Sequence, residues 1–481
     1  MSHLIAAPET LASAAVDVER IGAAIRTAGA DAAGPTIGLA AAAEDEVSAA
    51  VAKVFGAYGQ EYQTVINQAV AFHTEFTQAL AAAASTYAQA ETATAAQLSR
   101  LSSGLGAPLQ TPVVTSASAD PLVALIMGGN TNPQPLSYYV SEVNASYIQR
   151  LFPGAIPQGL FTPEQFWPLT TNLGNLTFGQ SVAQGVTLLN NAINSQITTM
   201  HNSVLVFGYS ESATIATIEI DNLMAMGAPD PGQLSFMLAG DPNNPVGGIL
   251  ERFPGFYIPF LDVAFNGATP PNSPYPTTIY TIQYDGIADL PQYPLDVVAD
   301  LNALAGFFVL HGTYPALTAA QLAAATPLPT SPGYTGNTQY YMLMTQNLPL
   351  LQPIRDIPYI GPPIADIFQP DLRVLVDLGY ADYGPGENYA NVPTPSGLFS
   401  VADPFTVIPD LALGAVQGPY GAAVEVGVEA GLVSPSLFPD TYPWAPSVDP
   451  HLNFFLGQPS VTGLSELSGL VGNVLKIIPP E

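Results

Sequence analysis

The sequence contains no cysteine among its 481 residues. Disulfides, thiolate metal sites and a cysteine nucleophile are therefore excluded. Basic residues are also scarce, since 9 lysines and arginines stand against 38 acidic residues and give a net charge of −29. An electric field of that sign repels phosphate backbones, so nucleic acid is not an expected partner.

Long apolar runs are absent too. No stretch approaches the roughly 20 apolar residues that a membrane span requires, and the opening residues MSHLIAAPE lack the basic segment and apolar core of a Sec signal. We therefore expect neither a transmembrane anchor nor a Sec leader. Hydrophobic residues still make up 48% of the chain, which is enough for a folded core.

The composition changes near residue 105. Pro8 and Pro35 are the only prolines before that point, whereas the other 45 of the 47 prolines follow it. Because proline breaks helices, we expect an Ala-rich helical module followed by a loop-rich one.

The first module has the apolar periodicity of two helices. One stripe runs from Leu11 to Ile25 in steps of three and four residues, and a longer one runs from Val47 to Leu80. Helices of unequal length cannot cover each other's seams, so a partner that supplies further helices is expected. Docking of the hairpin on the rest of the chain is the alternative.

Several segments of this module resemble the N-terminal domain of mycobacterial PE proteins. They are Pro8-Glu9, EVSAAV at 46–51, FGAYGQEYQ at 55–63 and AFH at 71–73. The resemblance covers residues 1–97. It implies an antiparallel helical hairpin that pairs with a PPE protein and leaves the cell through a type VII secretion system, whose Tyr-x-x-x-Asp/Glu signal Tyr87 and Glu91 match.

The second module contains a candidate nucleophile. Residues 203–207 form the short apolar run of a buried strand, Gly208-Tyr209-Ser210-Glu211-Ser212 follows, and residues 213–220 are typical of a helix. A strand, a tight turn and a helix form the context of a nucleophile elbow around Ser210. Ser212 replaces the usual second glycine, and an ordinary turn with a capping serine is the alternative.

The catalytic base is identified by elimination. In α/β-hydrolases the acid and then the histidine follow the serine, and only His311 and His451 lie beyond Ser210. His311 ends an apolar run at a glycine turn, whereas His451 lies in a Pro-rich tail. We favour His311 on this context.

The acid is predicted to follow a strand at 278–284. Asp289 resembles the aspartate of the Gly-x-x-Asp-x-Pro turn in which many hydrolases carry the acid, and we predict that it is the acid. Asp285 is the close rival, although it could cap the turn instead. Asp241 and Asp262 are weaker candidates, Asp241 because it lies one strand too early.

The oxyanion hole is predicted to combine two N–H donors. One is the backbone N–H of Glu211, and the other comes from the loop Gly128-Gly129-Asn130-Thr131, which follows a strand at 121–127. Asn130 is the favoured donor. A plain loop or a weak phosphate-binding nest is the alternative, although the lysine of a P-loop is missing. We expect no metal and no cofactor.

Taken together, segments of the second module resemble the PE-PPE domain. They are MGGN at 127–130, GYSESA at 208–213, GDP at 240–242 with GG at 247–248, YDG at 284–286 with Asp289, HGTY at 311–314 and LRVLVDLGY at 372–380. The resemblance covers about 118–380. It implies a cutinase-like serine α/β-hydrolase with a mostly parallel central sheet, acting on acyl esters.

The expected fold class is thus an α module followed by an α/β domain. The hairpin occupies 1–97, a linker 98–117, the hydrolase domain 118–395 and a Pro-rich extension 396–481, which either forms a lid or completes the fold. The expected function is that of a serine esterase or lipase, secreted to the cell wall or cell surface. An acyltransferase acting between cell-envelope lipids and a non-catalytic surface interaction protein are the alternatives.

Overall fold

The computed structural model describes residues 120–171, 173–380, 382–385, 387–455 and 462–480, with scattered positions between Arg20 and Gln63. The chain divides into two compact units, Met1–Ser116 and Ala117–Glu481. In the first unit the described positions within 20–34 and 52–63 are helical. Tyr87 and Glu91, predicted to carry the export signal, lie outside the described residues. Within the described parts, no helix combines the length and the hydropathy needed to cross a bilayer.

A seven-stranded sheet forms the centre of the second unit, in the order β2-β1-β3-β4-β7-β9-β8. Every neighbouring pair is parallel except β8 and β9. A separate antiparallel ribbon pairs β5 with β6. The strands are β1 Leu122–Ile126, β2 Ile156–Gly159, β3 Ser203–Tyr209, β4 Leu234–Ala239, β5 Tyr257–Ile258, β6 Val263–Ala264, β7 Thr277–Ile282, β8 Thr326–Pro327 and β9 Thr338–Leu343.

Helices connect these strands. A π-helical stretch, Asn144–Ile148, joins α1 to α2, and another, Ser195–Thr199, continues α3. The helices are α1 Ser137–Val143, α2 Gln149–Leu151, α3 Phe178–Asn194, α4 Glu211–Ala225, α5 Ile249–Arg252, α6 Val297–Val309, α7 Ala319–Ala323, α8 Gln352–Arg355, α9 Gly361–Asp377, α10 Pro404–Glu429 and α11 Gly463–Leu475. The predicted α/β class with a mostly parallel sheet is confirmed.

Strand β3 shows why the sheet is buried on both faces. Successive side chains of a strand point to opposite faces. Val204 and Val206 accordingly join a core with α3 and α4, while Leu205 and Phe207 join a second core with Tyr147. All four side chains are completely buried, as expected of a central parallel strand.

The C-terminal extension packs into the same unit as the sheet. Its Trp444 is 2% exposed, stacks on Phe438 with ring centroids 5.5 Å apart and lies against Gly421 of α10. Leu452 is completely buried, and the Gly397 N–H donates to the Gln292 carbonyl. Residues 396–455 therefore contribute to the core, in the manner of a segment that completes a fold.

Candidate active site

Ser210 occupies a strained turn between β3 and α4. Its φ of 57° and ψ of −119° are unfavourable for a residue with a side chain. The Ser210 N–H donates to the Ala239 carbonyl at 3.1 Å, which ties the turn to β4. Gly208 is required because a Cβ there would lie 2.7 Å from the Ser212 carbonyl oxygen. The turn is thus an elbow that presents the Ser210 hydroxyl at the start of a helix.

Ser212 accounts for the departure from the usual glycine. Its Oγ accepts a hydrogen bond from the Tyr209 N–H at 2.8 Å and donates to the Gly128 carbonyl. The hydroxyl therefore joins the elbow to the loop after β1. A glycine at this position would lack that connection.

The predicted nucleophile and base lie together. Nε2 of His311 is 2.8 Å from Oγ of Ser210. Nδ1 of the same ring is 2.9 Å from Oδ2 and 3.1 Å from Oδ1 of Asp285. His311 is 7% exposed and Asp285 is completely buried. Serine, histidine and carboxylate therefore form one continuous hydrogen-bonded chain.

Asp285, rather than Asp289, contacts the histidine, and the predicted position of the acid is corrected accordingly. The Asp289 N–H donates to the Asp285 carbonyl at 2.7 Å, and this turn directs the Asp289 carboxylate away from the imidazole, to the Tyr284 N–H at 2.8 Å. Burial raises the pKa of Asp289 to about 7, although the charge of Arg252 opposes the shift. Asp289 therefore stabilises the turn that positions Asp285.

The weaker candidates for the acid and the base form their contacts with residues outside the chain of Ser210, His311 and Asp285. Asp241 accepts hydrogen bonds from Thr269 and from the Asn243 N–H, while Asp262 accepts them from Thr177 and Tyr257. His451 is exposed and lies near Glu387 and Asp449.

Aromatic side chains hold the histidine and its carboxylate. The Tyr314 hydroxyl donates to Oδ2 of Asp285 at 2.9 Å, and the Tyr209 hydroxyl donates to the His311 carbonyl at 2.6 Å. The Phe307 ring stacks on the imidazole with centroids 6.0 Å apart. The Ile287 N–H adds a bond of 3.0 Å to Oδ1 of Asp285. These contacts fix the backbone of His311, its imidazole ring and the Asp285 carboxylate that the ring contacts.

The loop after β1 lies against the elbow, where the oxyanion hole was predicted. A Cβ at Gly129 would lie 2.7 Å from the Tyr209 ring, so only glycine allows this approach. Glu211 is the first residue of α4, and N–H groups in the first turn of a helix have no helical acceptor. The Asn130 side chain donates to Oε2 of Glu211 at 2.7 Å, so the side-chain amide is engaged and the predicted donor would be the backbone N–H of Asn130.

Two carboxyl groups beside this loop are buried, which the sequence patterns did not predict. Glu211 is 2% exposed and Glu164 is completely buried. Burial raises the pKa of Glu211 to about 7, against the hydrogen bonds from Asn130 and Ser181. Burial and the neighbouring charge of Glu211 raise the pKa of Glu164 well above its ordinary value. The only signal in the sequence was an acidic residue directly after the nucleophile.

Comparison with known proteins places the chain in a family. Residues 4–94 match the PE family and residues 153–381 match the PE-PPE domain. PE family protein PE3 of Mycobacterium tuberculosis (strain ATCC 25618 / H37Rv) is 54% identical over 483 residues, which cover 100% of both chains. The chain belongs to the PE family.

Two other relatives of this PE protein carry functional names, and both are from the same strain. Esterase PE16 is 45% identical over 88% of this chain and 77% of its own length. SL1278 acyltransferase Chp1 is 32% identical over 55% of this chain and 65% of its own length.

Among solved structures, a cutinase-like protein from Cryptococcus sp. matches 35% of this PE protein and 79% of that chain at 20% identity. The TM-score is 0.26, so the fold assignment rests on the parallel sheet itself.

Glu211 makes the stability of this site dependent on pH. Its pKa is about 7 in the folded chain, against an ordinary value of 4.5, so between these values the folded state holds a proton that the unfolded state has released. The free energy of unfolding therefore falls as the pH rises through this window. We expect Glu211→Gln to show a smaller fall between about pH 4.5 and about pH 7 in urea unfolding, because an amide does not titrate.

The matched control is Glu466→Gln, which alters an exposed glutamate of α11. It should keep the wild-type dependence on pH. Equal slopes for Glu211→Gln and the wild type would contradict a raised pKa at Glu211.

Proposed function

We propose that this chain is a serine ester hydrolase that cleaves acyl esters through Ser210, His311 and Asp285. The single observation that supports the proposal most strongly is the hydrogen-bonded chain through His311, with 2.8 Å to the serine and 2.9 Å to the aspartate. That arrangement is the one an activated serine needs, since a hydroxyl is a weak nucleophile until an oriented base removes its proton.

The reaction would proceed through an acyl-enzyme. Oγ of Ser210 attacks the ester carbonyl while Nε2 of His311 takes the hydroxyl proton, and Asp285 stabilises the imidazolium through Nδ1–H. The tetrahedral oxyanion accepts hydrogen bonds from the backbone N–H groups of Glu211 and Asn130. The imidazolium then returns the proton to the leaving alcohol. Water, activated by the same histidine, releases the acid and restores Ser210.

The surface next to Ser210 suits an apolar acyl chain. Helix α6 ends two residues before His311 and exposes large apolar side chains towards solvent. They are Leu301 at 49%, Leu304 at 56%, Phe307 at 41% and Phe308 at 73% exposure. Burying this surface against hydrocarbon is favourable by about 25 cal/mol per Å². We therefore infer that the substrates are esters with long acyl chains. The Esterase PE16 relative supports the reaction class.

Acyl transfer is the second candidate. The same acyl-enzyme passes its acyl group to an alcohol instead of water if an alcohol reaches the site first. The observation that favours this candidate is the relative named SL1278 acyltransferase Chp1. Product analysis with a long-chain alcohol present separates the two, because transfer yields a new ester and hydrolysis a free acid.

We also propose that the N-terminal PE domain pairs with a PPE protein and directs export through a type VII system to the cell wall or cell surface. The match of residues 4–94 to the PE family supports this proposal. The measurement that checks it is the amount of protein in the culture filtrate when Tyr87→Ala is expressed in a mycobacterium. Undiminished export would contradict a role for the Tyr87 and Glu91 signal.

Removing the nucleophile tests the proposed reaction. We expect Ser210→Ala to lower the hydrolysis of nitrophenyl esters by about 10³-fold or more, because alanine has no hydroxyl with which to form the acyl-enzyme. The matched control is Ser141→Ala, an exposed serine of α1, which should hydrolyse at the wild-type rate. A Ser210→Ala variant as active as the wild type would refute the serine mechanism. A wild-type protein that hydrolyses none of these esters would favour a non-catalytic surface protein.

Comparing two neighbouring aspartates tests the corrected assignment of the acid. We expect Asp285→Asn to lower kcat by about 10³-fold or more, since an asparagine cannot hold the imidazolium. Asp289→Asn should stay within about 10-fold of the wild-type rate, because Asp289 contacts a turn and not the histidine. The thermal midpoints of both variants show whether each is folded. The reverse ranking of folded variants would return the role to Asp289.

A further inference from the structure

A second polar cluster lies in a part of the chain that the proposed reaction does not use. It joins Asp382 and Glu387, which follow α9 in the sequence, to residues 449–453 of the C-terminal extension. One ligand atom each from Glu387, Asp449 and His451 lies within 4.8 Å of the others. A cavity of about 150 Å³ beside it is lined by Asp382, Glu387 and Asn453, among others.

Asp382 is the residue of this cluster whose carboxylate forms neither a hydrogen bond nor an ion pair among the described residues. The residue is 3% exposed, yet neither of its carboxylate oxygens has a hydrogen-bond partner. The Asn453 backbone N–H approaches the carboxylate without forming a hydrogen bond. The negative charges of Glu387 and Asp449 lie close enough to act on this carboxylate. A buried carboxylate with two like charges beside it requires a proton or a cation.

Other buried atoms of the cluster are acceptors of the same kind. Oδ1 of Asn453 is buried without a hydrogen-bond partner, and Oδ1 of Asp449 is contacted by Nδ1 of His451 at 3.0 Å. The Asn453 amide nitrogen donates to the Leu378 carbonyl at 3.3 Å, which fixes its oxygen on the other side. Within the described ranges, no lysine or arginine forms an ion pair with these carboxylates. The atoms without a hydrogen-bond partner, on Asp382 and Asn453, are therefore all oxygens. Oxygens with free lone pairs cannot pair with one another, but they can bind a metal ion.

We propose that Asp382, Glu387, Asp449 and Asn453 form a calcium site that fastens the C-terminal extension to the loop after α9. Calcium takes carboxylate and amide oxygens at about 2.3–2.6 Å, so two ligands across the ion lie about 4.6–5.2 Å apart. Ligand atoms of Glu387 and Asp449 lie within 4.8 Å of each other, which is close enough for both to bind one ion.

His451 is the member of the Glu387, Asp449 and His451 group that would bind a metal ion through nitrogen. Its Nδ1 lies 3.0 Å from Asp449 and 3.4 Å from Glu387, and its side chain is 64% exposed. Because it is so exposed, the imidazole can turn towards solvent when an ion binds between the two carboxylates. The site does not depend on the catalytic serine, so its test is independent of the proposed esterase activity.

The thermal midpoint of the full-length protein tests the site. After removal of metals with EGTA at about pH 7.5, we expect calcium chloride to raise the midpoint by several degrees in a saturable manner, because an ion that binds only the folded state stabilises it. Terbium should also give saturable luminescence, sensitised by Tyr293 and Tyr380, which line the same cavity.

Two variants and one control assign the effect to these residues. Asp382→Asn should lose the calcium shift while its midpoint in EGTA is no lower than that of the wild type, because it removes an unpartnered buried charge. Glu387→Gln should reduce the rise of the midpoint that calcium causes. This variant provides the test if Asp382→Asn does not fold. Asp440→Asn, an exposed aspartate of the extension, should keep the full shift.

Three outcomes would overturn the calcium site. The first is a wild-type midpoint that calcium leaves unchanged, as expected if Asp382 simply holds a proton. The second is stabilisation by zinc but not by calcium, which would assign the ligands to a different metal. The third is a folded Asp382→Asn variant with the full calcium shift.

Discussion

The backbone of Ser210, held at a φ of 57°, is the constraint on which the rest of the site depends. Strain of this kind persists only where the surroundings over-determine it. Here β4 accepts the Ser210 N–H, Gly208 leaves room for the turn, and Ser212 ties it to the loop after β1. The hydroxyl is thereby presented to His311 at a fixed distance.

The parallel sheet explains why the other functional groups lie near this turn. The carboxyl ends of parallel strands meet at one edge, where open α/β sheets place their sites. Gly128 follows β1, Ser210 follows β3 and Asp285 follows β7, and these strands belong to that one sheet. Residues far apart in sequence therefore converge, and only His311 reaches the edge from a helical connection.

A chain with 9 basic residues and 38 acidic ones has few cations with which to pair its buried acids. It uses neutral donors instead, as with Asn130 and Ser181 on Glu211. Burial therefore raises the pKa of several carboxyl groups, Glu211 and Asp241 among them. Where neutral donors are also missing, as at Asp382, an external cation is the remaining way to stabilise the ionised form.

The sequence predicted some of these features for physical reasons and missed others. Ser210 and His311 were identified because a strand, a turn and a helix have distinct patterns, and because histidines are few. Asp285 could not be separated from Asp289, because the difference lies in a turn whose hydrogen bonds direct one carboxylate to the imidazole and the other to the Tyr284 N–H. The Glu211 side chain was missed since its burial depends on Asn130 and Ser181, which are distant in the sequence.

The central claim is that Ser210 becomes covalently acylated. Intact-protein and peptide mass spectrometry, after a brief reaction of the full-length chain with a long-chain nitrophenyl ester and acid quenching, measures this directly. The account predicts a mass increase of one acyl group, located on the peptide that contains Ser210 and dependent on His311. An acyl group on another residue, or turnover of the ester without any acylated Ser210, would contradict it.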